Sequence, residues 1–255
     1  MPWDPAIYNQ FKNIRYKPFF DLMELISGEN LQHAVDIGCG TGEQTSLLSK
    51  KFENTSFVGI DSSAEMLAQS KKFANEKLSF TLSTIEDFAL SDSTWDLVFS
   101  NAALQWSGDH RELFAKLISR ININGQLAVQ MPCQKENILN QLLLDIISGK
   151  PFVDLLHGFR RDSPLLEIDD YARIMFEGKL QELNIFIKVY PIIAANETDL
   201  YNFISGSALI PYMERLDPEG QELLKTEFVK RIKKQFEPFP AIYSFKRILL
   251  YGIKK

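Results

Sequence analysis

Through the first half of the chain, short apolar runs that stop abruptly alternate with segments of helical period. Ala34, Val35 and Ile37 make the first run, and Ser56–Asp61, Leu78–Leu82, Trp95–Ser100 and Gln126–Met131 repeat it. Runs of this length without strict alternation suit strands buried on both faces of a parallel sheet. Between them, Glu43–Phe52 places Leu47, Leu48 and Phe52 on one helical face, and Ala64–Phe73 predicts a second helix. From Asp109 onward, Leu113, Phe114, Leu117 and Ile118 recur at helical spacing. Ahead of the first run, Phe19, Phe20, Leu22, Met23, Leu25 and Ile26 predict a helix with Pro18 in its first turn and an end near Gly28. Asn124-Gly125 reads as the turn into the fifth strand, which Pro132 stops.

Five alternations of strand and helix by Pro132 predict a doubly wound α/β fold. Afterwards the pattern loosens. Residues 133–183 are mostly helical in period, interrupted by Gly149-Lys150-Pro151 and Asp162-Ser163-Pro164, before a strand at Ile185–Ile193. A helical block, Glu197–Phe236, precedes a last strand near Phe245–Tyr251. The expectation is one domain over residues 1–255: a Rossmann-like, seven-stranded, mostly parallel sheet built from 30–132 and the two late strands. Segments 133–183 and 197–236 are then helical cap insertions, and residues 1–27 an N-terminal lid.

The first strand runs into Gly38, Gly40 and Gly42, and a helix starts directly after them. Glycines at these places let the backbone turn tightly and approach a ligand where a Cβ would intrude. A dinucleotide loop needs a glycine three residues after its second one, and that position holds Glu43, whose carboxylate opposes a pyrophosphate at the helix N-terminus. The stretch Val35-Asp36-Ile37-Gly38-Cys39-Gly40-Thr41-Gly42 instead resembles the first motif of class I S-adenosylmethionine-dependent methyltransferases. Asp61 closes the second strand 19 residues after Gly42, where the doubly wound fold places a carboxylate for ribose hydroxyls. Ser62 and Glu65 also form a capping-box pattern into the next helix.

Composition narrows the partners. At 45% hydrophobic and 24% charged residues the chain has the makeup of a folded globular protein, which excludes disorder. A formal charge of −5 argues against a general nucleic-acid surface. With no run of eighteen apolar residues and no signal-peptide pattern at Met1-Pro2-Trp3-Asp4-Pro5, the expectation is a soluble, cytoplasmic protein that does not enter a membrane. Two cysteines, Cys39 and Cys133, and three scattered histidines, His33, His110 and His157, offer neither a disulfide framework nor metal-ligand spacing, so no metal is expected. Nothing in the pattern fixes an oligomeric state.

Taken together, the chain resembles the trans-aconitate methyltransferase family of small-acid carboxyl methyltransferases. The resemblance rests on Trp3-Asp4-Pro5 with Tyr8, Phe11, Arg15 and Pro18, on Asp36–Gly42, on Gly59-Ile60-Asp61-Ser62-Ser63 with Met66, and on Asn101-Ala102 with Leu104-Gln105-Trp106. It continues through Asp109-His110, Leu113-Phe114 and Leu127–Pro132, then thins to Leu209, Pro211-Tyr212 and Arg247. It implies S-adenosylmethionine as cofactor, in-line methyl transfer to a carboxylate, and S-adenosylhomocysteine and a methyl ester as products. By the same resemblance Asp36, Gly38, Gly40, Gly42 and Asn101 surround the methionyl end, Asp61 takes the ribose, and Ser62, Met66, Thr84 and Ile85 surround the adenine. Gln105 and Trp106 are neutral donors for the substrate carboxylate, with Tyr8 and Arg15 as further positioning residues; Arg15 suits the cofactor's own carboxylate equally. No general base is implied. Three alternatives stay open: a carboxyl methyltransferase of the malonyl-carrier-protein type, an N- or C-methylating enzyme of the same fold, and a cofactor-binding protein of this fold without activity. One departure stands out. Ile210 lies where the trans-aconitate enzymes carry an arginine, which predicts a pocket favouring less charged acids.

Overall fold

The apolar runs of the first half form strands where their pattern predicts them. In the computed structural model, residues 12–255 are described, with side chains from residue 14; Tyr8, Phe11 and Trp3-Asp4-Pro5 lie outside the described residues. Helix α1 (Lys12–Met23) leads to β1 (His33–Ile37), α2 (Glu43–Lys51), β2 (Ser56–Asp61), α3 (Ala64–Ser70), β3 (Leu78–Leu82) and α4 (Ile85–Leu90). Then follow β4 (Trp95–Asn101), α5 (His110–Ser119), β5 (Ile121–Pro132), α6 (Ile138–Ile147), α7 (Phe152–Leu155) and α8 (Ile168–Glu177). Strand β6 (Leu180–Ala194), helices α9 (Glu197–Ser205), α10 (Ile210–Met213) and α11 (Pro218–Phe236), and β7 (Ala241–Lys254) complete the described chain. The strands form a seven-stranded sheet in the order β3-β2-β1-β4-β5-β7-β6. Pairs β1–β2, β1–β4, β2–β3 and β4–β5 are parallel, while β5–β7 is antiparallel.

Several boundaries differ from the sequence pattern. Helix α1 begins at Lys12 and carries Pro18 in its interior, because Phe19 and Leu22, which are buried, hold its later turns against the core. Asn124-Gly125 is not a turn before β5 but a bulge inside it. The register steps from Trp95↔Ile121 to Leu97↔Gln126 and Asn124 adopts φ 66°, which absorbs the extra residues. Strand β6 starts five residues before its predicted position of 185 because it is the outermost strand, and its exposed early residues break the apolar signal. Asp96 is structural, as its place at the start of a strand suggests. Its carboxylate accepts from Gln32 N (3.0 Å), His33 N (2.9 Å) and Asn122 Nδ2 (2.8 Å). Burial opposes its ionisation, but these bonds outweigh burial and hold its carboxyl below the ordinary range.

The chain divides into two compact units. One comprises the described residues up to Tyr16 with Cys133–Ser163 and Val189–Lys246; the other comprises Lys17–Pro132, Pro164–Lys188 and Arg247–Lys255. The first is held by a helical core in which Leu139, Leu143, Leu200, Leu209, Leu224 and Phe228 are buried. In the second, Phe19, Leu22, Ala34, Leu97, Phe99, Ala128 and Leu249 cluster on one face of the sheet. At roughly 1.5–3 kcal/mol for each fully buried large side chain, this cluster is a principal source of the sheet's stability. Among the described residues, no helix is long and apolar enough to cross a membrane.

Candidate active site

The glycine loop leaves β1 as a closed turn. Gly38 N and Cys39 N both donate to Ile60 O, at 2.8 and 2.9 Å, which clamps the loop to the end of β2. Gly38 has φ +76°, and a Cβ there would lie 2.1 Å from Ala103 Cβ, so only glycine fits between the loop and the segment after β4. Gly40 has φ +56°, and a Cβ on it would meet no heavy atom within 4 Å among the described residues. Its strain is therefore unrelated to internal packing, and it presents bare backbone to open space. Gly42, also at positive φ, enters α2 as its N-cap. Gly40 N donates to Asp61 Oδ2 at 2.8 Å, and Ser63 N donates to Asp61 Oδ1 at 2.8 Å. Asp61 thus buckles the loop to the following turn, and each oxygen keeps a further lone pair for an outside donor.

On the sheet face next to this loop the polar groups are linked in pairs. Thr45 Oγ1 donates to Asp36 Oδ2 at 2.6 Å, and Asn101 Nδ2 donates to Gln44 Oε1 at 2.9 Å. Asp36 is only 4% exposed. Burial, with the nearby Asp61 charge, pushes its carboxyl up to about 7, although the Thr45 bond works the other way. Burial also raises the Cys39 thiol, helped by the charges of Asp36 and Asp61, so that thiol is no nucleophile near neutrality. Asn101 Oδ1 is buried without a hydrogen-bond partner among the described residues. An orphaned acceptor beside open glycine backbone and two carboxylates fits the cationic, amino-acid end of S-adenosylmethionine.

After Asn101 the backbone turns sharply. Ala102 takes φ 57°, unusual for a residue with a side chain, and is fixed by Ala102 N donating to Gln130 O at 2.8 Å. A single 3₁₀ turn, Leu104–Trp106, follows. Gln105 Nε2 donates back to Ala102 O at 2.6 Å, so the amide expected to face the substrate as a donor braces its own turn. Its Oε1 is the buried atom without a partner among the described residues. Trp106 is 40% exposed, which removes it from the core. His110 fastens the turn from beneath: it is 1% exposed, its Nε2 donates to Leu104 O at 3.0 Å, and its Nδ1 accepts from the Tyr171 hydroxyl. Burial holds the ring below its ordinary pKa, against the hydrogen bonds to Leu104 and Ser107 and the Asp109 charge, so it is neutral at pH 7.

The other predicted residues fall at the ends of β2 and β3, which pair at Asp61↔Leu82. Ser62 is exposed, and Met66 and Ile85 are half-buried. The capping reading shifts by one residue: Ser63, not Ser62, caps α3, accepting from Met66 N at 3.2 Å, because Asp61 orders Ser63 through its backbone. Thr84 caps α4, accepting from Asp87 N at 3.0 Å, which occupies one of its acceptor positions. Arg15 belongs to the first compact unit, where its Nη2 donates to Phe203 O at 2.6 Å and its guanidinium lies 5.3 Å from the Phe203 ring centre. Ile210, half-buried, opens α10 in that unit. Gln44 and Thr45 had no signal of their own in the sequence, and His110 only its place in the family resemblance, since each acts through contacts that only folding creates.

Known proteins resemble this chain in both fold and sequence. Residues 29–153 match the family described as "Methyltransferase domain". The YcgJ protein of Bacillus subtilis shares the fold, with a TM-score of 0.62 at 17% identity, over 94% of this chain and 99% of that one. A phosphoethanolamine N-methyltransferase of Haemonchus contortus, solved with S-adenosyl-L-methionine, does so with a TM-score of 0.57 at 14% identity, over 93% of this chain and 52% of that one. The trans-aconitate 2-methyltransferase of Deinococcus radiodurans is 34% identical over 100% of this chain and 99% of its own length. At that identity over the full length of both chains, the chain belongs to the trans-aconitate 2-methyltransferase family.

Proposed function

We propose that the protein forms a methyl ester on a carboxylate of a small polycarboxylic acid of the trans-aconitate kind. The observation carrying this reading is the full-length similarity to the Deinococcus radiodurans trans-aconitate 2-methyltransferase at 34% identity. Bound S-adenosylmethionine supplies an electrophilic methyl group on a sulfonium. Asp61 accepts from the ribose hydroxyls, Asn101 Oδ1 accepts from the methionyl ammonium, and Ser62, Met66, Thr84 and Ile85 border the adenine. The exposed Trp106, closing the turn Leu104–Trp106, donates to the acid, while Gln105 braces that turn.

A free carboxylate with a pKa near ~4 is already ionised at neutral pH, so the acceptor needs no proton removed. Chemistry then depends on approach and on exclusion of water, with reacting atoms held roughly 3–3.5 Å apart. His110, with both ring nitrogens engaged by Leu104 and Tyr171, and the protonated Cys39 thiol support a site without an active base. Calorimetry with S-adenosylmethionine, followed by transfer of a radiolabelled methyl group to trans-aconitate with base-labile ester as readout, tests the proposal. Cofactor binding without any base-labile product would refute it.

A further inference from the structure

The first turn of α2 reaches two strands with successive side chains. Thr45 donates to Asp36 Oδ2 on β1 at 2.6 Å, and Gln44, one residue earlier, accepts at 2.9 Å from Asn101 Nδ2 at the end of β4, 57 residues away in the chain. Each bond engages one end of a two-ended polar group. Gln44 takes the donor end of the Asn101 amide, and Asn101 Oδ1 is left buried with no partner among the described residues. Leaving a buried acceptor unpaired is unfavourable, so its retention calls for a ligand that brings a donor.

An asparagine amide has no inherent preference for the end it shows. Its oxygen and nitrogen are nearly the same size, and rotation of the terminal torsion exchanges an acceptor for a donor. Beside a cation the two are opposite in effect: the oxygen accepts from an ammonium, whereas the nitrogen points its hydrogens at it. The backbone of Asn101 is fixed by its pairing with Gln130 of β5, so the choice lies with the amide alone. Gln44 makes that choice, because an oxygen facing Asn101 is satisfied only by the Asn101 nitrogen. The place of Gln44 follows in turn from the glycine loop: it is the second residue of the helix that Gly42 caps, and it is half-buried there. The loop that frames the cofactor therefore also selects which atom of β4 faces it.

We propose that Gln44 is a positioning residue for the cofactor: by holding Asn101 Nδ2, it turns Asn101 Oδ1 toward the methionyl ammonium of S-adenosylmethionine. This rests on the Asn101 assignment in the proposed function and adds the residue that makes Asn101 an acceptor. Gln44→Met, close in size and without an acceptor for an amide, tests it by calorimetry with two ligands. S-Adenosylhomocysteine, which carries the ammonium, should lose about 5- to 30-fold in affinity. Methylthioadenosine, which shares the adenosine and lacks the amino-acid end, should bind within about twofold of the native value. Gln44→Glu, which presents only acceptors to Asn101, should keep S-adenosylhomocysteine affinity at or above about a third of the native value. In an Asn101→Ala background, Gln44→Met should cause no further loss, since the two side chains act as one unit. Equal losses for both ligands in Gln44→Met, or unchanged S-adenosylhomocysteine affinity there while Asn101→Ala weakens it, would overturn the role of Gln44 alone. Unchanged affinity in Asn101→Ala would remove the ammonium assignment and Gln44 with it, while the methyl-ester reading is decided separately by its base-labile product.

Discussion

Replacing Asp36 with asparagine isolates the least comfortable charge in the site. The carboxyl is buried on β1, accepts one hydrogen bond from Thr45, and feels the Asp61 charge. Its rise from 3.8 to about 7 spans about three pKa units, so ionising it inside the fold is unfavourable by on the order of 4 kcal/mol. The sign follows from proton counting. Between these values the folded protein holds a proton that the unfolded chain has released, so stability from this group is complete below 3.8 and is lost as pH rises through about 7. The amide introduced by Asp36→Asn has no such proton, though it keeps an acceptor for Thr45. Urea unfolding of the cofactor-free proteins at pH 5, 6, 7 and 8 should therefore show the variant gaining on the native protein as pH rises, by up to a few kcal/mol at pH 8. Cofactor binding supplies the complementary measurement. Cationic groups beside Asp36 favour its ionised form, so native protein should release protons on binding near pH 6–7, seen as buffer-dependent heats, and Asp36→Asn should not. Parallel stability curves for the two proteins would refute the assignment of a raised pKa to Asp36.

Asp61→Ala should weaken S-adenosylmethionine binding by about 1.5–3 kcal/mol, with calorimetry as the check, and should also loosen the loop that Gly40 N anchors. Trp106→Phe should slow methyl transfer with less than about 0.5 kcal/mol change in unfolding free energy, since the residue is 40% exposed; matched losses would return Trp106 to a packing role. Single-turnover rates at saturating cofactor and acid should be flat from about pH 6 to 8, and a tenfold rise per unit would indicate an amine or hydroxyl acceptor. Asp96→Ala should destabilise by about 1–3 kcal/mol at pH 7. Because the Asp96 carboxyl is lowered in the fold, that difference should shrink as pH falls below 3.8, which acid unfolding of the two proteins can follow.

Much of this architecture was legible in the order of residues. Strands β2 and β3 have the predicted bounds, because a short apolar run closed by polar residues has one good solution in a parallel sheet. The glycine spacing and Glu43 separated a methyltransferase loop from a dinucleotide loop, because backbone freedom and helix-end charge are local properties. Where local signals competed, folding decided: Pro18 lies inside α1 since burial of Phe19 and Leu22 outweighs its disfavoured place, and Ser63 caps α3 since Asp61 holds its backbone. The site's finer chemistry belongs to tertiary structure altogether. His110 meets Tyr171 across 61 residues and Gln130 meets Arg247 across 117, while Gln105 turns its amide onto its own loop. Side-chain type is written in the sequence, but which hydrogen-bonding atoms remain open depends on every partner that the fold brings within about 3 Å.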